Sequence, residues 1–244
     1  EMEKNSELQT EEKAGTSLFH YLSVRRKDVE EEMKIVLQRL IVIARLPHDD
    51  LAADRTELGA HYEKLNLKLS KQYKWDQMTG LLLIYPSCLL HVVESSREVL
   101  VAVLKDLTEM QRRQSDGVLL EAPKVVFMAN DPESRLFQQW SYKVLNADQL
   151  DGEMKDEEGS TESLVCCVLS ALQNLSEQLE TSKALPGSVL DETPELIVSQ
   201  EILNQLLDKE KLQSPEQYLQ AYDSPLNVSM DFGQVIRSSS LTTV

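Results

Sequence analysis

Apolar positions along this chain change their period several times, and each change predicts an element. Ile35, Val36, Ile41, Val42 and Ile43 form a β-branched run that predicts a first strand centred on Leu40 to Ala44, after a short helical lead-in. Leu58, Tyr62, Leu65 and Leu69 then recur at helical spacing, so they share one face of an amphipathic helix. The runs Met78 to Tyr85 and Leu89 to Glu94 predict two buried strands joined as a hairpin, with Pro86-Ser87 at the turn. Val99, Val103, Leu107 and Met110, flanked by Leu100 and Leu104, predict a second helix. Lys124 to Met128 predicts a fourth strand. Asp131, followed by Pro132, reads as the N-cap of a short helical turn through Phe137, and Trp140 to Leu145 predicts a fifth strand.

The second half reads as helical. Ser160 or Thr161 caps a helix whose stripe is Leu164, Val168, Leu172, Leu175 and Leu179. Each such side chain gains about 1.5–3 kcal/mol when fully buried, so the stripe must lie against the open sheet face or a partner. Thr193-Pro194 begins another helical segment carrying Leu196, Ile197, Ile202, Leu203, Leu206 and Leu207. Ser214-Pro215-Glu216-Gln217 has the spacing of a capping box and starts a short helix through Tyr222. Beyond Pro225, Leu226, Val228, Met230, Phe232, Val235 and Ile236 alternate roughly as in an extended segment with apolar anchors.

The order of strands and helices predicts an α+β fold of ferredoxin-like type, with two helices on one face of the sheet and a lid from the C-terminal part on the other. The domain organisation follows. Residues 1–34 form an acidic, partly disordered lead with a small apolar cluster around Leu18 and Phe19, and 35–147 the α+β domain. An acidic linker covers 148–162, a helical extension 163–223 and an extended tail 224–244.

Charge narrows the class of partner. A formal net charge of -16 disfavours nucleic acid and anionic membrane, both of which are negative, and points to other proteins. No apolar run approaches the roughly 20 residues that cross a bilayer, and the polar first residues lack a signal core. Three cysteines, two of them adjacent, do not make the framework of a secreted domain, so a reducing compartment is expected.

The segments Arg39-Leu40-Ile41-Val42-Ile43, Met78-Thr79-Gly80-Leu81-Leu82, Leu89-Leu90-His91-Val92-Val93-Glu94 and Arg135-Leu136-Phe137-Gln138-Gln139-Trp140 together resemble the BLUF family of blue-light-sensing flavin domains, over roughly Leu37 to Leu145. The resemblance implies the BLUF-type sheet, and it implies that the flavin-lining positions are Val42, Tyr73, His91 and Trp140. The family's photoactive Tyr falls on Val42, its switching Gln on His91 and its flavin-holding Asn on Tyr73. The Gly that usually follows the strand-three Glu is Ser95. Thr79, Gly80, Glu94 and Trp140 match the family, at positions the fold alone accounts for. Rings at His91 and Tyr73 place bulk where an isoalloxazine edge would lie, and the donor and acceptor pairs that orient it are lost. No flavin or other cofactor is therefore expected. With its acidic lead and helical half, the whole chain also resembles a BLUF-like family of male germ cells, which implies a sperm flagellar or axonemal setting in the cytoplasm and no catalysis.

Candidate chemistry outside that resemblance is sparse. His91 on an apolar strand reads as a buried, hydrogen-bonded histidine. Cys166 and Cys167 read as small packing residues on the helix stripe. His20, His48 and His61 lack metal-ligand spacing, so no metal site is expected. Arg112 and Arg113 face the negative end of the second helix. No phosphate loop, nucleophile elbow or carboxylate pair is visible, and no catalytic residue is assigned. The expected function is a non-catalytic structural or adaptor protein that meets axonemal partners through Leu18, Phe19, Leu226, Val228, Met230, Phe232 and Ile236. The alternative is a sensor that retains a flavin or nucleotide between its two helices.

Overall fold

The computed structural model describes residues 36–47, 55–74, 76–112, 120–146, 159–184 and 186–222. Leu18 and Phe19, the tail anchors Leu226, Val228, Met230, Phe232 and Ile236, and most of the acidic linker lie outside the described residues.

Five strands form one sheet in the order β4-β1-β3-β2-β5. They are β1 (Gln38–Arg45), β2 (Thr79–Ile84), β3 (Cys88–Ser95), β4 (Glu121–Asn130) and β5 (Trp140–Val144). The first four are the antiparallel ferredoxin-like core, and β5 adds parallel to β2. β2 and β3 are buried at every position, which explains why they read as continuous apolar runs rather than alternating ones.

Helices α1 (Arg55–Gln72) and α2 (Arg97–Arg112) cover one face. Leu40, Val42, Ala44, Leu82, Ile84, Leu89 and Val93 point into that layer, against Leu58, Tyr62, Val103 and Leu107. The alternate residues Ile41, Ile43, Leu81, Leu83, Leu90 and Val92 face the other way. There they meet α3 (Thr161–Ser182), α4 (Pro186–Glu192) and α5 (Gln200–Asp208). The α3 stripe is thus buried on the sheet, and Tyr85 ties down the following chain by donating to the Val198 carbonyl at 2.7 Å. Finally α6 (Pro215–Tyr222) returns past β4 to the first layer, where Tyr218 and Leu219 pack against its core.

Several local expectations hold at atomic detail. Ser160 caps α3 by accepting from the Ser163 amide at 3.1 Å. In the box opening α6, Ser214 N–H donates to Gln217 Oε1 at 2.9 Å and Gln217 N–H donates to Ser214 Oγ at 3.2 Å.

Others need correction. The helical lead-in does not reach β1, since Val36 and Leu37 are not helical and Gln38 and Arg39 are already strand. Residues 131–137 form no helix: Asp131 has φ +53 and uses its N–H to bond the Leu37 carbonyl at 2.8 Å, closing the β1–β4 edge rather than capping a turn. The segment after Thr193 is split, with a 3₁₀ turn at Pro194–Leu196, an extended break at Ile197, and α5 starting only at Gln200. Helix α4 before it has no apolar period long enough to read. Cys166 and Cys167 are exposed, because they fall between Leu164 and Val168 on the outward side of α3, so they are not packing residues.

Candidate functional site

Strand pairing sets out the helix-side floor. Val125, Val42, His91, Leu82 and Tyr142 form one row across all five strands. Met128, Leu40, Val93, Gly80 and Trp140 form the adjacent row. His91 therefore sits on the central strand, at the middle of the sheet, directly beside Val42.

This floor is closed over by rings. Tyr62, from α1, lies edge-on above His91 with ring centroids 4.5 Å apart. Trp140 reaches across from the next row, and its indole N–H donates to His91 Nε2 at 3.0 Å. Gly80 makes that reach possible. Its φ is +152, and a Cβ at this position would lie 2.1 Å from the Val92 carbonyl oxygen and 3.2 Å from the indole, so a side chain is excluded. Tyr142 closes the β5 side by packing on the bare backbone of Gly59 in α1, where any Cβ would lie 2.3 Å from its ring. Val42, Tyr62 and His91 are fully buried.

Burial fixes the charge state of these groups. The His91 imidazole is pushed down to about 3 by loss of solvent, so it is neutral at physiological pH and accepts the indole proton through Nε2. Burial, and then the nearby Asp106 carboxylate, hold the Tyr62 phenol well above its ordinary value. At the rim His61 Nε2 and Asp106 Oδ2 are 2.8 Å apart, joining α1 to α2. Among the described residues, the Tyr62 hydroxyl, His91 Nδ1 and both amide atoms of Asn66, one turn along α1, have no hydrogen-bond partner.

Tyr73 lies just past α1, 3.2 Å from the Gln72 side-chain amide, and packs at the margin of the helix-side core. Tyr62 covers His91, and Asn66 lies one turn further along α1. Their helical spacing from Leu58 could have flagged them, but Tyr62 reads only as part of an apolar stripe.

The family-matching residues on the opposite face do something different. The Glu94 carboxylate is fully buried and accepts four hydrogen bonds: from Arg39 Nε at 2.8 Å, Thr79 Oγ1 at 3.0 Å, Leu136 N–H at 2.8 Å and Phe137 N–H at 3.1 Å. Arg135 Nη1 donates to Thr79 Oγ1 at 3.0 Å and to the Glu94 carbonyl at 2.8 Å, while Arg39 Nη2 reaches the Ser134 carbonyl at 2.7 Å. This cluster pins the 131–139 connection to three strands. It forms a structural clamp with every acceptor filled, and leaves no free nucleophile or acid.

Other candidates are placed as follows. Arg112 pairs with Glu216 of α6 at 2.7 Å, so it ties two helices together. Cys88 is buried, and its thiol is pushed up to about 12 chiefly by burial. No group of three or more His, Cys, Asp or Glu side chains suited to a metal occurs among the described residues. A cleft of about 670 Å³ lies on the Glu94 side, between Arg135–Gln139 and the end of α3 at Leu179 and Lys183, away from His91. None of the described helices is long and apolar enough to cross a membrane.

Known proteins share features of this architecture. The chain is similar to the solved BlrP1 BLUF structure at 16% identity and TM-score 0.36, covering 55% of this chain and 76% of that one. It is similar to the dark-state structure of BlrB, a BLUF protein, at 20% identity and TM-score 0.34, covering 48% and 76%. The photo-activated state of BlsA matches at 15% identity and TM-score 0.35, covering 71% and 96%. The fold class itself rests on the strand order and register. Across the sheet domain and its helical extension, residues 36–224, the chain matches the family described as Testis-expressed protein 47.

Proposed function

Because the chain belongs to the testis-expressed protein 47 family, we propose that it is a non-catalytic structural or adaptor protein of male germ cells, working in the axoneme of the sperm flagellum. The observation that carries this reading is the filled cradle. Val42, His91 and Trp140, three of the positions that the BLUF resemblance gives to the flavin, are packed together with Tyr62 by burial, a ring contact and the indole hydrogen bond. The Glu94 clamp meanwhile keeps the scaffold intact, so what remains useful is a rigid surface. Its contacts are with proteins, in keeping with the net charge of -16.

Crosslinking mass spectrometry on isolated axonemes tests the reading. Crosslinks from the exposed Lys64, Lys68 and Lys71 of α1 to axonemal proteins are the expected result. Recovery of the chain entirely in the detergent-soluble fraction, with no such crosslinks, would contradict it.

A second reading has one observation in its favour. The unpartnered Tyr62 hydroxyl, His91 Nδ1 and Asn66 amide form a set of donors and acceptors that a small polar ligand between α1 and α2 would satisfy. Mass spectrometry of the small molecules released on denaturing the purified protein separates the two. A stoichiometric organic compound supports the sensor; solvent alone supports the adaptor.

A further inference from the structure

The two edges of the sheet are treated differently. At the β4 edge the extension that follows α5 closes over the strand: Val125 N–H donates to the Gln213 carbonyl at 2.8 Å, and Lys124 Nζ reaches the Lys209 carbonyl at 2.8 Å. At the other edge, β5 is the last strand in the order among the described residues. Gly80 N–H bonds the Gln139 carbonyl and Leu145 N–H bonds the Ile84 carbonyl, so the odd-numbered residues of β5 turn their backbone groups towards β2. The backbone N–H and C=O groups of Trp140, Tyr142 and Val144 must then point away from the sheet. Their side chains, half-buried, continue the helix-side floor. Among the described residues no strand pairs with this row, and such a row of donors and acceptors beside an apolar layer is a template for one more strand.

The chain carries a segment of matching pattern. After Tyr222, Leu226, Val228, Met230 and Phe232 alternate with Asn227, Ser229 and Asp231, which is the period of a strand with one apolar face. Tyr222 itself is held beside the first residue of β1, its hydroxyl 2.8 Å from Gln38 Nε2. A strand outside β5 lies four interstrand spacings from β1, about 19 Å. An extended chain covers about 20 Å between Tyr222 and Val228 and about 27 Å by Met230, so the segment reaches.

We propose that Val228–Phe232 of the same chain adds to the outer edge of β5 as a sixth strand, with Val228, Met230 and Phe232 extending the layer that contains Trp140 and Tyr142. The proposal goes beyond the adaptor reading and is independent of it. It gives the tail an intramolecular place, and its failure would return the tail to the partner-binding role without touching the flagellar assignment.

Residue-resolved amide exchange on the purified full chain tests this, read at Trp140, Tyr142 and Val144 over a range of protein concentrations. The segment enters from the Trp140 end and so runs parallel to β5, which turns the Ser229 and Asp231 N–H groups towards it. The expected result is protection at all three amides, lost by about tenfold or more in Ser229→Pro, which cannot donate to that ladder. The Gln234→Pro variant, beyond the pairing segment, should leave them protected. Three outcomes overturn the proposal. Rapid exchange at these amides in the unsubstituted chain means an open edge. Protection that Ser229→Pro leaves intact means another element covers it. Protection that appears only as concentration rises means that a second copy supplies the strand.

Discussion

His91 and Glu94 sit three positions apart on β3, both fully buried, yet the two faces of that strand treat them in opposite ways. Glu94 is solvated by the protein: a guanidinium, a hydroxyl and two backbone amides replace the water it lost. His91 receives one indole N–H and T-shaped contacts with two rings, so it gives up its charge instead. A buried ionisable group survives either by complete hydrogen bonding or by neutralisation. In this chain the first solution holds the scaffold together, and the second leaves a neutral ring packed at the middle of the sheet.

The largest expected effect lies on the charged side. Glu94→Ala removes an acceptor from four donors and strands Arg39, which should cost about 3–5 kcal/mol in chemical denaturation and loosen residues 131–139. If the loss is under about 1 kcal/mol, the clamp is not what orders that connection.

Gly80→Ala tests the point where the two faces meet. With φ at +152 and a Cβ 2.1 Å from the Val92 carbonyl, it should cost about 3 kcal/mol and displace Trp140 from His91, measurable as a shift in tryptophan emission.

The neutral imidazole makes a prediction about pH. The unfolded chain takes up a proton at His91 below its ordinary 6.5, whereas the folded chain does so only near 3, so the unfolded state binds more protons in that window. Stability is full above 6.5 and falls as pH drops towards 3, at about 1.4 kcal/mol per pH unit from this residue. In His91→Gln the slope of stability against pH between about 6 and 4 should be shallower by that amount, roughly one proton. Equal slopes in urea titrations would mean that His91 is charged when folded.

The smallest effect concerns the C-terminal extension. Ser214→Ala removes the reciprocal cap of α6 and should cost about 1 kcal/mol, with thermal unfolding lowered by a few degrees.

Much of the fold is legible in the sequence, for identifiable reasons. β2 and β3 are buried on both faces and so carry unbroken apolar runs at Leu81–Ile84 and Leu89–Leu90, and α2 has an apolar stripe. The caps at Ser160 and Ser214 announce themselves by residue type and spacing. What is not legible depends on partners far away in sequence. The 131–137 connection has helix-start residues, but Glu94, some forty positions earlier, captures the amides of Leu136 and Phe137 and holds them out of any helix. Cys166 and Cys167 mislead because a helix stripe says which residues face inward only once its centre is known. At the candidate site, Val42 and His91 can be read, whereas the covering of His91 by the Tyr62 ring cannot, because helical periodicity alone does not tell a core tyrosine from a pocket-filling one.

The central claim is that the helix-side cradle is filled by the chain's own side chains. Equilibrium dialysis of the purified full chain against flavin mononucleotide, with the visible spectrum of the retained protein recorded before and after illumination, tests it most directly. The account predicts no retained flavin and an unchanged, colourless spectrum. A stoichiometric yellow complex that responds to light would contradict it.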